Sequence, residues 1–344
     1  LATVVSGGSI PFTPSSSSDW RTEIIDLSKF IGQEKLQLAF VSINDIGNNI
    51  YLDNIRINNQ LLEQISISES SITSPFYAEC SEAVKPKVIV QNTGTVQIDS
   101  FEASFAIESL GLVSDTLIST TIEIGQSVEI EFSEFELADG AYNIEFNISN
   151  PNGNESAVLP NSTALRKFLV DSRKEIIPVR ENFEGISQNE WSLLDLDGGD
   201  VILEKTIAPA ASGSNTAVAA KLYNSNSQGS RHWVISPVLD MSGTSEASIT
   251  FNLSYASRNE AKDAFTTYMV TDCENPELIS IQSLDASEMA VTSSDAIWSP
   301  SDENDWKNYR LDLTAFGGNP DTRIIFEVLN DGGNTVYIDD IEIF

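Results

Sequence analysis

Residues 12–57 and 298–343 align at a constant offset of 286 without a gap, and 17 of the 46 paired positions are identical. Among the identities are Trp20 with Trp306, Phe40 with Phe326, Tyr51 with Tyr337, Asp53 with Asp339, Ile55 with Ile341 and Ile57 with Ile343. Stretches this alike build the same supersecondary unit, so the fold must contain that unit twice. Its pattern is β. After Trp-x5-Asp-Leu, strands are expected at 36–43 and 50–57 around a turn at 44–48, and again 286 residues on. In the second copy the turn is Asn330-Asp331-Gly332-Gly333-Asn334, residue types that tolerate the positive φ such connections need.

The strand after that turn alternates. Tyr337, Asp339, Ile341 and Ile343 share one face, and Ile338, Asp340 and Glu342 the other. Asp339 therefore points with the apolar set, as does Asp53 in the first copy. A carboxylate on a core face needs backbone amides or a metal ion as partner, because an unpaired buried charge costs several kcal/mol.

The rest of the chain follows the same short-strand grammar. From about residue 180 the sequence runs Glu181-Asn182-Phe183-Glu184-Gly185, then Asp195-Leu196-Asp197-Gly198-Gly199-Asp200, then Trp233 to Asp240, with further strands expected at 247–255 and 266–272. Short strands between Ser, Asn, Gly and Asp clusters, with no sustained helical period, predict a jelly-roll β-sandwich over 173–344. Residues 84–172 contain about seven strand signals in about ninety residues, the arithmetic of an immunoglobulin-like β-sandwich. Segment 60–83 is expected to be a linker, and residues 1–59 correspond to only the C-terminal half of a jelly roll. The expected class is all-β throughout.

Charge and composition narrow the chemistry. Fifty-one Asp and Glu against 19 Lys and Arg give a formal charge of -32. Such a surface repels phosphate backbones and anionic membranes, which excludes nucleic acid as a partner and makes Ca2+ and water the natural company of the carboxylates. No run reaches the roughly 18 apolar residues of a membrane span, so no membrane insertion is expected. The single histidine, His232, rules out an HExxH pair. No GxSxG elbow, Walker loop or GxGxxG turn occurs. Cys80 and Cys273 form no zinc motif; a bridge between them, a bridge to another cysteine and free thiols all remain open.

Four glutamates, Glu129, Glu131, Glu134 and Glu136, lie close enough in sequence to raise glycoside hydrolysis. Alternation in Val128-Glu129-Ile130-Glu131-Phe132 instead places these acids on a solvated sheet face. Trp191, Trp233, Trp298, Trp306, Tyr223, Tyr255 and Tyr309 are candidates either for core packing or for a sugar-stacking platform.

The motifs Trp-x5-Asp-Leu, Tyr-x-Asp-x-Ile-x-Ile, Phe183-Glu184-Gly185, Asp195-Leu196-Asp197-Gly198-Gly199-Asp200 and Trp233-Val234-Ile235-Ser236-Pro237-Val238-Leu239-Asp240 resemble the choice-of-anchor J and cleaved-adhesin domains. These are jelly rolls of secreted Bacteroidetes proteins, MAM-like in shape. The middle segment resembles the CARDB-type immunoglobulin-like domain through Asn92-Thr93-Gly94 and Leu137-Ala138-Asp139-Gly140-Ala141-Tyr142. The resemblance implies a structural Ca2+, with Glu184, Asp195, Asp197, Asp200, Asp339 and Asp340 as its candidate ligands. It also implies a non-catalytic adhesion or binding segment, extracellular or on the bacterial cell surface, that presents jelly rolls to glycan or protein ligands. The alternatives it leaves are an accessory region of a secreted hydrolase, most plausibly a metallopeptidase with its catalytic domain upstream, and a ligand-free stalk. Because the first copy lacks an N-terminal half, a covalently continuous upstream domain is expected to complete it.

Overall fold

The computed structural model describes residues 12–15, 19–23, 25, 27, 30, 35–42 and 49–57 of the first copy, and residues 66–344 except 155–158, 160–161, 186–189, 209–214 and 259. The chain divides into two compact units, Leu1–Leu61 and Leu62–Phe344.

Within the second unit, the first sandwich packs a three-stranded sheet on a five-stranded one. The smaller sheet orders Ile67–Ser74, Lys87–Asn92 and Ser127–Glu131; the larger orders Ala78–Glu79, Thr163–Val170, Gly140–Ser149, Phe101–Ile107 and Gly111–Ile118. Phe101–Ile107 alternates strictly, with Phe101, Ala103, Phe105 and Ile107 buried against Val88, Val90, Ile144 and Phe146. That period of two is what an antiparallel strand with one covered face requires. The segment read as a linker at 60–83 contributes Ile67–Ser74 and Ala78–Glu79 to these sheets.

The second sandwich sets a six-stranded sheet against a five-stranded one. In the first, Val336–Ile343 lies at the centre, paired with Thr216–Lys221, Ser248–Ser254 and Val179–Glu181. In the other, Arg323–Leu329 lies between Arg231–Ile235 and Ala264–Val270. Both central strands come from the second copy of the repeat, and every strand paired with them in these ladders comes from residues 179–270. The core between the sheets is aromatic: Phe326 meets Trp191 at 5.2 Å in a stacked pair, Phe251 at 4.7 Å and Phe265 at 5.2 Å. A turn glycine is also obligatory here, since a Cβ on Gly333 would fall 1.6 Å from the buried Asp263 carboxylate.

The first copy reproduces the local contacts of the second. Trp20 meets Tyr51 edge-on at 6.5 Å, and Trp306 meets Tyr337 edge-on at 6.4 Å. Ser15 N donates to Asp19 at 2.7 Å, and Ser301 N to Asp305 at 2.7 Å. Tyr51 donates to Phe12 O at 3.0 Å, and Tyr337 to Trp298 O at 3.2 Å. Asn54 and Asp340 both have positive φ, at 53° and 50°, each donating its N–H to the preceding aspartate at 2.7 Å. Yet the described residues 35–42 and 49–57 carry no strand, which corrects the expectation of strands at 36–43 and 50–57. A strand exists by pairing, and the described residues of the first copy are not paired as the segment from Val179 to Val270 pairs with the second copy. The expected turn at 44–48 lies outside the described residues.

Candidate functional site

The six carboxylates implied as metal ligands occupy two places. Asp195 ends the strand Ser192–Asp195 opposite His232, and Asp197 and Asp200 follow in the loop. Asp197 is committed to Arg231, whose Nε and Nη2 donate at 3.0 and 2.9 Å. That side-chain pairing, against the smaller opposing effect of burial, holds the Asp197 carboxyl below the usual range. Asp200 accepts from Ser225 Oγ at 2.5 Å, Asn226 N at 2.9 Å and Ser227 Oγ at 2.9 Å, so it ties a neighbouring loop. These donors, Ser225 first, keep it ionised far into acid.

Glu184, Asp339 and Asp340 belong to the other sheet. Glu184 accepts from Thr216 N at 2.6 Å and from Asn215 N. Asp339 is fully buried on Val336–Ile343, and Asp340 accepts from Asn252 Nδ2 at 3.1 Å. Beside them sequence reasoning missed Glu181, which lies on Val179–Glu181 opposite Ile341. Its Oε1 accepts from Phe183 N at 2.6 Å, while Oε2 is buried without a hydrogen-bond partner. Burial raises its pKa, opposed by the Phe183 amide. Among the described residues no group of three or more His, Cys, Asp and Glu side chains has the spacing of a metal site.

His232 is enclosed. Its Nε2 shares a hydrogen bond with Ser230 Oγ at 2.9 Å, and Nδ1 lies 3.3 Å from Asp195. Burial lowers its pKa more than Asp195 and Asp197 raise it. A general base must reach a substrate, and this ring faces protein on every side. Glu129 and Glu131 are exposed on the strand Ser127–Glu131, as alternation predicts, while Glu134 lies outside a strand and Glu136 on the short strand Phe135–Glu136, both also exposed.

The candidate tryptophans of the second sandwich are packed into the protein. Trp191 and Trp233 are buried core residues; Trp306 packs under Ala217, Ala219 and Tyr337; Trp298 donates from Nε1 to Ser254 Oγ at 2.9 Å. Tyr255 is fully buried and donates to Asp263 at 2.7 Å. Tyr309 donates to Glu288 O, and Tyr223 carries the Arg258 guanidinium 4.2 Å from its ring centre.

The junction between the two sandwiches is the best-built polar region of the second unit. Cys80 and Cys273 form a disulfide across it, closing 193 residues of sequence. Arg323, fully buried, donates to Ser236 O at 2.7 Å in its own sandwich and to Glu79 O and Asp171 O of the other. Burial pushes its guanidinium down to about 10, and Asp171 opposes that shift, so it stays charged at neutral pH. Asp171 in turn accepts from Arg173 Nε at 2.9 Å and Nη2 at 2.7 Å. Apolar contacts complete the joint: Leu169 and Ala78 pack with Leu194, Trp233, Val270 and Ile325. A signal for Arg323 was in the repeat itself, where its counterpart is the uncharged Gln37.

Next to this joint lies a cleft of about 340 Å3 lined by residues of both sandwiches, Tyr77, Arg166 and Lys167 from one and Leu196, Asp197 and Arg231 from the other. Arg166 lies over the Tyr77 ring at 4.5 Å and Arg231 over the same ring at 5.8 Å. The cleft is formed by residues from Ser71 to Arg231, up to 160 apart in the sequence, so no local motif announces it.

No family model matches the chain, and no curated protein matches it. Among solved structures, it is similar to the K1 cleaved adhesin domain of Lys-gingipain from Porphyromonas gingivalis, at 17% identity and TM-score 0.35, over 49% of this chain and 98% of that one. It is also similar to the CARDB domain of a Pyrococcus furiosus protein, at 15% identity and TM-score 0.23, over 35% of this chain and 99% of that one. A third similarity, at 14% identity and TM-score 0.32, is to the family 11 carbohydrate-binding module from Clostridium thermocellum, over 48% of this chain and 92% of that one. The first two name the same kinds of domain as the sequence motifs, and the third names a carbohydrate-binding module. At such TM-scores they add no weight, and the sandwich architecture stands on its own sheet order.

Proposed function

We propose that the chain is a non-catalytic binding segment of a secreted or cell-surface protein, in which two β-sandwiches are clamped into one platform that presents its junction to a glycan or protein ligand. The observation that carries this reading is the clamp: the Cys80–Cys273 disulfide together with the buried Arg323. Disulfides persist in oxidising, extracytoplasmic compartments, which supports an extracellular location. A ligand site at a joint needs both walls held in fixed geometry, and covalent and ionic ties across the joint supply that. Among the described residues no helix is long and apolar enough to cross a membrane. A glycan array probed with the reduced and oxidised chain tests the reading: saccharide binding that weakens on reduction is expected, and an array with no bound saccharide would remove the glycan arm of the proposal.

A structural Ca2+ is part of the same reading. Among the described residues the acidic side chains make no group with the spacing of a metal site, so this part of the reading rests on the buried, unpartnered Glu181 Oε2, the kind of oxygen a hard cation takes up. Asp197 and Asp200 are engaged elsewhere and would not belong to the ion's ligand set. Thermal unfolding with and without a chelator is the check. A lowered melting temperature that Glu181→Gln abolishes is expected, and identical curves would exclude the ion.

A further inference from the structure

The strand Thr163–Val170 is paired along its whole length with Gly140–Ser149, but on its other side Ala78–Glu79 covers only Leu169 and Val170. Leu169 N donates outward to Tyr77 O at 3.0 Å, and Asp171 N to Glu79 O at 3.1 Å. Alternation of the ladder turns the N–H and C=O groups of Leu165 and Lys167 to that same side, where no described strand pairs with them. The cleft occupies the gap. It thus has open backbone donors and acceptors on one wall and a charged wall opposite.

Its charge is unlike the rest of the molecule. Arg166, Lys167 and Arg231 line it against a single carboxylate, Asp197, which is already engaged by Arg231. Arg166 donates to Pro75 O at 2.8 Å, a neutral acceptor. The nearby Glu79 carboxylate accepts from the Phe76 amide. Burial disfavours the charged form of Arg166, and Tyr77 and the Glu79 carboxylate oppose that. In a chain of formal charge -32, a cleft with surplus positive charge concentrates the local field on whatever anion enters.

We infer that this cleft binds a uronic-acid residue of an acidic glycan. The inference rests on the proposed reading of the chain as a binding segment and names the ligand class. Arg166 and Lys167 take the carboxylate, and the ring hydroxyls meet the Tyr77 hydroxyl, Ser71 and the open backbone groups of Leu165 and Lys167. The Tyr77 ring is already approached by two guanidinium groups, so recognition here is ionic and hydrogen-bonded rather than by ring stacking. The volume is at the lower end of small-molecule sites, which run from about 300 to 1,000 Å3, and suits one or two sugar rings. An acidic peptide adding a strand along Thr163, Leu165 and Lys167, the three outward-facing residues of the open edge, is the competing occupant that the hexaglutamate titration distinguishes.

The test is calorimetric titration of the whole chain with trigalacturonate, the neutral xylotriose and hexaglutamate, at low and high salt. Trigalacturonate is expected to bind, roughly tenfold more weakly at high salt. Lys167→Gln is expected to weaken it roughly fivefold at an unchanged melting temperature. Arg166→Gln should weaken it further; because Arg166 also holds Pro75, the Lys167 variant decides if the Arg166 variant fails to fold. Equal binding of the neutral and acidic trisaccharides would overturn the inference and leave the glycan reading intact. Binding of hexaglutamate alone would replace the glycan with an acidic peptide. Trigalacturonate binding unaffected by Lys167→Gln would move it out of this cleft, and no binding of either saccharide here or on the glycan array would overturn both the inference and the glycan reading.

Discussion

The two copies of the repeat share their contacts and differ in their cover. Phe326, Ile341 and Ile343 are at most 1% exposed, whereas Phe40, Ile55 and Ile57 are 52%, 58% and 69% exposed. Trp306 is 8% exposed and Trp20 43%. Short-range geometry, including the aromatic pair, the Ser–Asp turn and the left-handed residue after the strand aspartate, is nevertheless the same in both. Local sequence therefore sets the turns and near-neighbour contacts, while strand pairing and the core depend on the segment that packs across them. The second copy has that segment between Val179 and Val270. The described residues of the first copy show no such pairing, and their apolar side chains Phe40, Ile55 and Ile57 are exposed.

The clamp in the second unit has no equivalent in the first, and removing it should produce the largest effects. Loss of the disulfide in Cys80→Ser with Cys273→Ser is expected to cost up to about 5 kcal/mol, the chain-entropy value for so long a loop, read as a lower denaturation midpoint. Arg323→Met is expected to cost about 3–5 kcal/mol, because Asp171 stays buried with less positive charge around it. Gln37→Met, at the equivalent position, should change stability by less than about 0.5 kcal/mol.

Core truncation sharpens the contrast. Ile341→Ala should cost about 2–5 kcal/mol and Ile55→Ala less than about 0.5, by chemical denaturation of the whole chain. Equal costs would mean that the first copy has a core of its own.

The smallest effect is a pH dependence confined to the covering segment. His232 has a folded pKa below its unfolded value of about 6.5, so the unfolded chain takes up the proton first. Its contribution is present above that value and is lost as pH falls through the folded pKa. Melting temperature should therefore drop on acidification from about pH 7 more steeply for the native chain than for His232→Gln. Superimposable profiles would show that the histidine charges freely in the fold.

Much of this architecture was legible in the chain. Alternation in Phe101–Ile107 and around Glu129 and Glu131 placed apolar and acidic faces correctly, because a strand's two faces are a local property. The class of the second sandwich was legible in its motifs. The strands at 36–43 and 50–57 were misread, since identical residues cannot report whether a partner strand is present. Likewise Asp195, Asp197 and Asp200 looked like ligands in a row, but Arg231 and the loop at 225–227, distant in sequence, engage two of them. The aromatic residues gave no sign of whether they packed inward, and the cationic cleft, assembled from both sandwiches, left no local trace.

Hydrogen exchange read by mass spectrometry on the intact chain tests the comparison most directly. Amides of residues 322–329 and 336–343 should be strongly protected, and those of residues 36–42 and 50–57 should exchange at nearly the rate of an unstructured peptide. Matching protection in the two copies would contradict the account, because it would mean that the first copy pairs its strands without the segment that the second requires.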